Sequence, residues 1–339
     1  MAGNRQIEFN PAPSGQFGWK RAIIRALAWV YLVDIIAIWL FLRLEGDRWW
    51  LGMVAIFAPP WIYALPLAAL IPLSIALHRR SLRVLAVGTI VALFPVMGLR
   101  LPWRPLIQFD KSAISIRVLT CNVHHDALKP HRLAEMILSV HPDIILLQEF
   151  PVQFEPSVFG TGGWNVAIIG EMVLATRFPI YAAKEFPDDS AVHYTIETLT
   201  GDVDVFNVHL SSPHFALQDI VRGRPNARDD VKNNIRDRRN EARELNQMLQ
   251  NIRGPLLIAG DFNLPPDSAI FRENFSKFSD AFATGGLGFG WTYRANWTAT
   301  RIDHILGSSQ WICSDCWVGA DVGSPHRPLI ADLSMRGAK

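Results

Sequence analysis

What most constrains this chain is where its charge lies. Most of it falls after position 100, and the first hundred residues are dominated by apolar runs. From Ala22 to Leu42 only Arg25 and Asp34 are charged, and the run is long enough to cross a bilayer, which takes about 20 apolar residues. Trp49 to Leu77 holds no charge at all. It exceeds one straight crossing, and prolines at 59, 60, 66 and 72 predict a kinked path whose freed backbone groups need partners. A third uncharged run, Val84 to Leu99, is slightly short and is bracketed by Arg83 and Arg100. Apolar runs recurring for a hundred residues without an early cleavage pattern do not fit a cleavable signal peptide. The expected organisation is a disordered lead-in over 1–20 and a transmembrane region over 21–103, with spans at about 22–42, 49–77 and 84–100. A linker over 104–113 and a soluble domain over 114–336 follow.

Basic residues set the expected orientation. Lys20, Arg21 and Arg25 stand at the start of the first span, and Arg79, Arg80 and Arg83 separate the second from the third. The loop from Arg43 to Arg48 offsets its two arginines with Glu45 and Asp47. Lysine and arginine bias loops toward the cytoplasm, so three crossings put everything after Arg100 outside it. The chain is then a multi-pass membrane protein with the lipid bilayer as its first partner. Were the long run to cross twice, the domain would lie inside.

Composition excludes less. A net charge of +2 argues neither for nor against a nucleic-acid partner. Three cysteines are too few for a disulfide framework. Cys313 and Cys316 form a C-x-x-C, but within a strand-like WICSDCWV and not at a helix start, which disfavours redox chemistry.

Beyond the linker the pattern becomes short β-rich runs. Ile114 to Val123 alternates, placing Val118, Thr120 and Asn122 on one face. Residues 129–140 predict an amphipathic helix, and Asp143 to Glu149 a buried strand ending on a carboxylate. Such a group is poorly solvated unless a cation or donor meets it. Glu171 to Ile180 and Asp202 to Leu210 read as further strands, the second ending at His209. Arg228 to Ile252 predicts a helix with Val231, Ile235, Ala242, Leu245 and Leu249 inward, and Arg236, Arg238, Arg239 and Arg243 on a solvated face. Leu256 to Ala259 is a buried strand delivering Asp261 and Asn263 to a loop stiffened by Pro265 and Pro266. Alone, that pair reads equally as a turn. Arg301 to Leu306 carries Asp303, and a terminal loop presents His326.

The segments TCNV, LLQE, NVHL, GDFN, RIDHIL and PHRP, in that order, resemble the endonuclease/exonuclease/phosphatase superfamily of DNase I-like fold. The resemblance covers roughly residues 114–335. It implies an α+β, four-layer α/β/β/α sandwich, here preceded by a bundle of about three transmembrane helices. It implies metal-dependent hydrolysis of phosphoester bonds, with Asn122 and Glu149 holding Mg²⁺ or Mn²⁺. Asp261 would orient and deprotonate water, Asn263 would donate to the phosphoryl group, and Asp303 would hold His326 to stabilise developing charge. His209 would be a second donor or the acid for the leaving oxygen, with Glu171 its candidate partner. One departure stands out. The family usually ends in Ser-Asp-His, whereas this chain reads Ser324-Pro325-His326, which leaves a two-metal mechanism without its usual carboxylate.

A domain tethered by three helices meets lipids first, so a lipid or lipid-linked phosphate is the favoured substrate. An extracytoplasmic nuclease acting on DNA or RNA is the alternative, and a non-catalytic protein binding a phosphorylated headgroup the third reading. No obligate protein partner is inferred.

Overall fold

Helix α1 (Gly18–Leu44) runs 27 residues, about 40 Å at 1.5 Å per residue, more than a bilayer's hydrocarbon core. The computed structural model describes residues 18–102, 115–151, 156–160, 162–186, 188–295 and 298–336. The expected lead-in up to residue 17 and the linker 104–113 lie outside these residues.

The chain divides into two units, one drawn from Met1–Trp39 and Trp61–Met97, the other from Leu40–Pro60 and Gly98–Lys339. In the first unit α1 is accompanied by α3 (Leu67–Leu77) and α4 (Ser81–Val91), the latter continuing into a wider turn, Ala92–Val96, that contains Pro95. Gly18–Leu44 and Pro60–Leu77 are long and apolar enough to cross a membrane, and Ser81–Val96 is a shorter apolar helix. The run expected as one span over 49–77 is instead three elements. Helix α2 (Trp50–Phe57) and the turn Pro60–Tyr63 precede α3, because Pro59, Pro60 and Pro66 break the backbone ladder between them.

Helix α2 belongs to the second unit, and its apolar side packs there. Met53 is fully buried in a cluster with Phe206, Val231, Ile258 and Ile270, and Trp50 and Phe57 flank it. The loop before it is anchored by Asp47. Its carboxylate accepts from the backbone N–H of Ala269 at 2.8 Å and from the Ser268 hydroxyl at 2.6 Å, at the N-terminus of α8 (Ala269–Phe275). A buried carboxylate is well placed there, where free N–H groups converge.

The second unit holds two six-stranded sheets, a two-stranded one of β10 (Tyr293–Ala295) and β11 (Thr298–Thr300), and the short helix α6 (His214–Val221). One runs β13 (Trp311–Val318), β14 (Leu329–Met335), β1 (Ser115–Asn122), β2 (Ile144–Gln148), β4 (Met172–Thr176), β3 (Asn165–Ile169). The other runs β5 (Ile180–Glu185), β6 (Ala191–Thr198), β7 (Gly201–His209), β8 (Leu256–Asp261), β12 (Asp303–Gly307), β9 (Ser279–Asp280). Alternation sends Ile116 and Val118 of β1 between the sheets, to meet Val205, Leu257 and Ile305. Leu119 and Cys121 turn outward onto α5 (Pro130–Val140), and Phe206 and Ile258 onto α7 (Ala227–Leu249). The result is helix, sheet, sheet, helix. Each fully buried leucine or isoleucine contributes about 1.5–3 kcal/mol.

Two expectations need correction. The strand expected over 171–180 is β4 and β5 separated by a turn, and β3 and β6 were not foreseen. Arg238 is not on a solvated face but fully buried. It stands seven residues after Val231 and four before Ala242, so helical geometry places it on the apolar side.

Candidate active site

Both sheets end their central strands at one place. β1 and β2 run parallel and deliver Asn122 and, just past Gln148, Glu149. β7 and β8 run parallel and pair His209 with Asp261, while antiparallel β12 sets Asp303 opposite Asp261. Gly260 makes this possible. Its φ of +148° and the 2.0 Å that a Cβ would leave to the Val208 carbonyl oxygen admit no side chain.

Asp261 is the hub. It is 1% exposed, and one oxygen accepts from the Asn263 backbone N–H at 2.9 Å. The other accepts from the Asn122 side-chain amide at 3.0 Å and lies 3.7 Å from His326 Nε2 and 4.0 Å from His209 Nε2. Burial raises its pKa, with the Asp303 charge adding to the effect and the imidazoles opposing it. A base shifted upward in this way suits proton abstraction nearer neutrality. His326 Nδ1 lies 3.0 and 3.1 Å from the two oxygens of Asp303, and both residues are buried. Burial works against the imidazolium, but the carboxylates of Asp303 and Asp261 outweigh it and lift the His326 pKa to about 9.

Glu149 sits at the open end of this group, its side chain 21% exposed. Oε1 accepts from the Asn122 amide at 2.8 Å and lies 3.4 Å from His209 Nε2, and Oε2 lies 4.0 Å from His125 Nε2. The structure thus gathers Asn122, Glu149, His209, Asp261, Asn263, Asp303 and His326, the seven residues expected from the motifs. Some of their side chains are turned differently than expected. The Asn122 amide nitrogen, not its oxygen, faces Glu149, and that oxygen accepts from the His124 N–H at 2.9 Å. The Asn263 amide is spent on the Leu210 carbonyl oxygen at 2.8 Å, so it holds the loop instead of reaching outward. Glu171 pairs with His125 at 3.2 Å and not with His209.

Backbone strain collects here. His124, His125, Glu149 and Asn263 all take positive φ, between 33° and 51°. Non-glycine residues held this way cost of order 1–3 kcal/mol each, and such conformations cluster at functional sites.

Several supporting residues had no clear sequence signal. Ser324 donates to the Asn122 carbonyl oxygen at 2.7 Å and accepts from the His326 N–H at 3.0 Å. Thr292 accepts the Asp303 N–H at 3.1 Å, and Tyr293 lies edge-on to the His326 ring with centroids 5.0 Å apart. Gln148 donates to Asn207 at 2.6 Å, and Asn207 donates to the Leu147 and Val173 carbonyls, joining the sheets by a buried polar layer. Arg238 donates to the Asn263 carbonyl oxygen and lies over Phe57 of α2, 5.5 Å from its centroid. The NVHL and LLQE motifs contain Asn207 and Gln148, but only pairing across sheets reveals their bond. All three cysteines are free and buried, and burial pushes the Cys313 thiol up to about 12, which leaves them inert.

The donor set suits a hard divalent cation. Three carboxylates converge, and among the described residues their ion partners are all imidazoles. Asp261, Asp303 and His326 also have ligand-type atoms within 4.8 Å of one another. That group is better read as an acid–base relay than as a metal cage, because a protonated His326 offers no lone pair. Glu149, more open and beside the Asn122 amide, is the fitting carboxylate for a cation.

Comparison with known proteins agrees with this geometry. The family model for endonuclease/exonuclease/phosphatase proteins matches residues 119–326. No curated protein matches the chain. An AP endonuclease from Archaeoglobus fulgidus is similar at 16% identity and a TM-score of 0.50, over 64% of this chain and 98% of that one. A 3'-5' exonuclease from Neisseria meningitidis is similar at 18% and 0.50, over 65% and 100%. A family protein from Bacteroides thetaiotaomicron is similar at 17% and 0.50, over 67% and 98%. At these identities the likeness concerns the fold. With six strand-end motifs in order, a family match over more than half of the chain and acid–base groups converging where the sheets end, this chain belongs to the endonuclease/exonuclease/phosphatase family and hydrolyses phosphoester bonds.

Proposed function

We propose that the chain is a membrane-anchored phosphoesterase acting on a lipid or lipid-linked phosphate or diphosphate with Mg²⁺ or Mn²⁺. The observation that carries the membrane part is the seating of α2. Met53 is fully buried in the core of the second unit, and Asp47 caps α8 of the same unit. The stretch that follows α1 is therefore on the same side of any bilayer as the catalytic residues. If α1 crosses, the chain must cross an even number of times between residue 60 and residue 98. Pro60–Leu77 and Ser81–Val96 supply those two crossings, the second short at about 24 Å and helped by arginines that snorkel at its ends. Basic residues at 79, 80 and 83 keep the intervening turn cytoplasmic, which supports an extracytoplasmic site.

Glu149 and Asn122 would hold the cation. When bound, the cation neutralises charge on the phosphoryl oxygens. Asp261 accepts the proton of the attacking water, its pKa already raised by burial. His326, kept protonated by Asp303, donates to a phosphoryl oxygen as negative charge grows there. His209, 25% exposed at the rim, donates toward the leaving oxygen.

The test is turnover by the purified full chain in detergent. The panel is phosphatidic acid, a polyisoprenyl diphosphate, bis-p-nitrophenyl phosphate and DNA, each with Mg²⁺, Mn²⁺ or a chelator. Lipid phosphate should be the best substrate and should need the metal. DNA cleaved faster than every lipid would make the chain a nuclease, and no turnover anywhere would make it a headgroup-binding protein.

A further inference from the structure

The outer face of α7 carries a cationic stripe that the active site does not use. Lys232, Arg236, Arg239 and Arg243 are spaced by four, three and four residues, which a helix brings to one side. With Arg48 and Trp50 they line a depression of about 620 Å³. Its charge is only partly balanced locally. Lys232 pairs with Asp229 at 2.8 Å, Arg236 touches Asp237 at 3.4 Å, and Arg48 meets Glu273 at 3.1 Å. Among the described residues no ion pair engages Arg239 or Arg243, and the Arg239 Nε is buried without a hydrogen-bond partner. A buried donor without a partner beside a guanidinium without a counterion favours an anion at this surface.

Position says which anion. Arg48 follows the end of α1, Leu44, by four residues, a length of chain reaching at most about 14 Å. If α1 crosses the bilayer, the depression lies at headgroup level. Trp49, which also lines it and is 42% exposed, and Trp50 are the residue type enriched at that level. We propose that this depression binds the phosphate headgroup of an anionic phospholipid and so seats the catalytic unit on the membrane surface. The proposal rests on the membrane-anchored reading above. The depression has no carboxylate base or histidine in its lining, so the lipid is held there and not hydrolysed. The Arg238 side chain, on the buried side of α7, reaches the Asn263 loop.

The experiment uses the full chain in neutral detergent, with tryptophan fluorescence and native mass spectrometry reading bound lipid. Short-chain phosphatidylglycerol, phosphatidylcholine, inorganic phosphate and single-stranded DNA are the probes. Phosphatidylglycerol should bind at least about tenfold tighter than phosphatidylcholine. Arg239→Gln with Arg243→Gln should weaken it by roughly twenty-five-fold, given about fivefold for each cation near an anionic surface. Arg21→Gln with Arg25→Gln, near the start of α1, should leave that binding unchanged, and turnover of bis-p-nitrophenyl phosphate should persist in both. If the first pair unfolds the protein, Arg236→Glu with Arg243→Glu, both at exposed positions, carries the same test. Wild-type affinity in the α7 variants would overturn the assignment. So would inorganic phosphate binding as tightly as phosphatidylglycerol, which makes the site one for free anions, or DNA displacing the lipid. Alkaline carbonate extraction reads the other premise separately. Release of the chain from membranes would sink the anchored reading itself, whatever the depression binds.

Discussion

Asp303→Asn is the sharpest probe of the acid–base relay. It preserves shape while removing a charge 3.0 Å from His326 Nδ1, in a place where both residues are buried. The His326 pKa of about 9 stands against an ordinary value of about 6.5, so the carboxylates favour the imidazolium by roughly 3 kcal/mol net. Burial already opposes the charge, and Asp303 is the largest of the groups holding it. Without it the balance shifts toward the neutral imidazole, and the His326 pKa should fall. The cost should be that of losing one charge-assisted donor to the transition state, about a hundredfold in kcat. His326→Ala should cost about the same, and the double variant little more than the worse single, because each residue acts through the other. The assay is kcat and kcat/KM at pH 7 on bis-p-nitrophenyl phosphate, with melting curves to exclude unfolding and imidazole NMR titration to read the proton. Multiplicative losses would refute the relay. So would an Asp303→Asn protein whose His326 still titrates near 9.

Four further outcomes are expected. Glu149→Gln should lower activity at least about a hundredfold at low metal with unchanged melting, and near-normal activity there would remove Glu149 from the metal site. His326 binds its proton more tightly folded than unfolded, so its contribution to stability is complete below about pH 6.5 and lost as pH rises through about 9. Activity should fall over the same alkaline limb, and a profile flat to pH 10 would contradict this. Arg238→Met strips the donor from the Asn263 carbonyl and should cost about 1–3 kcal/mol in denaturant titrations and slow turnover; unchanged kcat would make Arg238 purely a packing residue. Pro325→Asp should add a second, titratable metal dependence where the wild type saturates with one class of metal, and two activating metals in the wild type would show that another residue supplies the ligand.

The parts of the fold legible in sequence are those whose signal is local. Leu256 to Ala259 and Ile144 to Leu147 are solid apolar runs, and their strands lie at the centre of each sheet. β6 has no such solid run; Val192, Tyr194 and Ile196 point inward and His193 and Thr195 to its other face. His193 is answered by Asp204 at 2.6 Å, a partner on the neighbouring strand that local pattern cannot supply. The apolar run over 49–77 misled for another reason. Hydropathy measures withdrawal from water and does not distinguish lipid from protein core, so Met53 scores alike whether it faces acyl chains or Phe206.

The site divides in the same way. Motif order identified seven positions, but the direction of each amide and hydroxyl depends on partners far along the chain. Asn122 meets Asp261 and Asn263 meets Leu210 only once strands β1, β7 and β8 stand together. Ser324 is the instructive case. Where the family places a carboxylate, Pro325 offers no ligand and fixes its own φ near −65°. What remains to hold the terminal loop is the Ser324 hydroxyl, bonded to the Asn122 carbonyl oxygen and to the His326 N–H, with the Pro325 carbonyl oxygen accepting from the Arg294 N–H at 2.9 Å. These three bonds tie His326 to the strand that carries Asn122 and to the short strand Tyr293–Ala295. The imidazole is therefore aimed at Asp261 by these bonds together with the Asp303 carboxylate at its Nδ1. A second cation is not needed to hold His326 in place, and the loss of the carboxylate is compatible with a working relay.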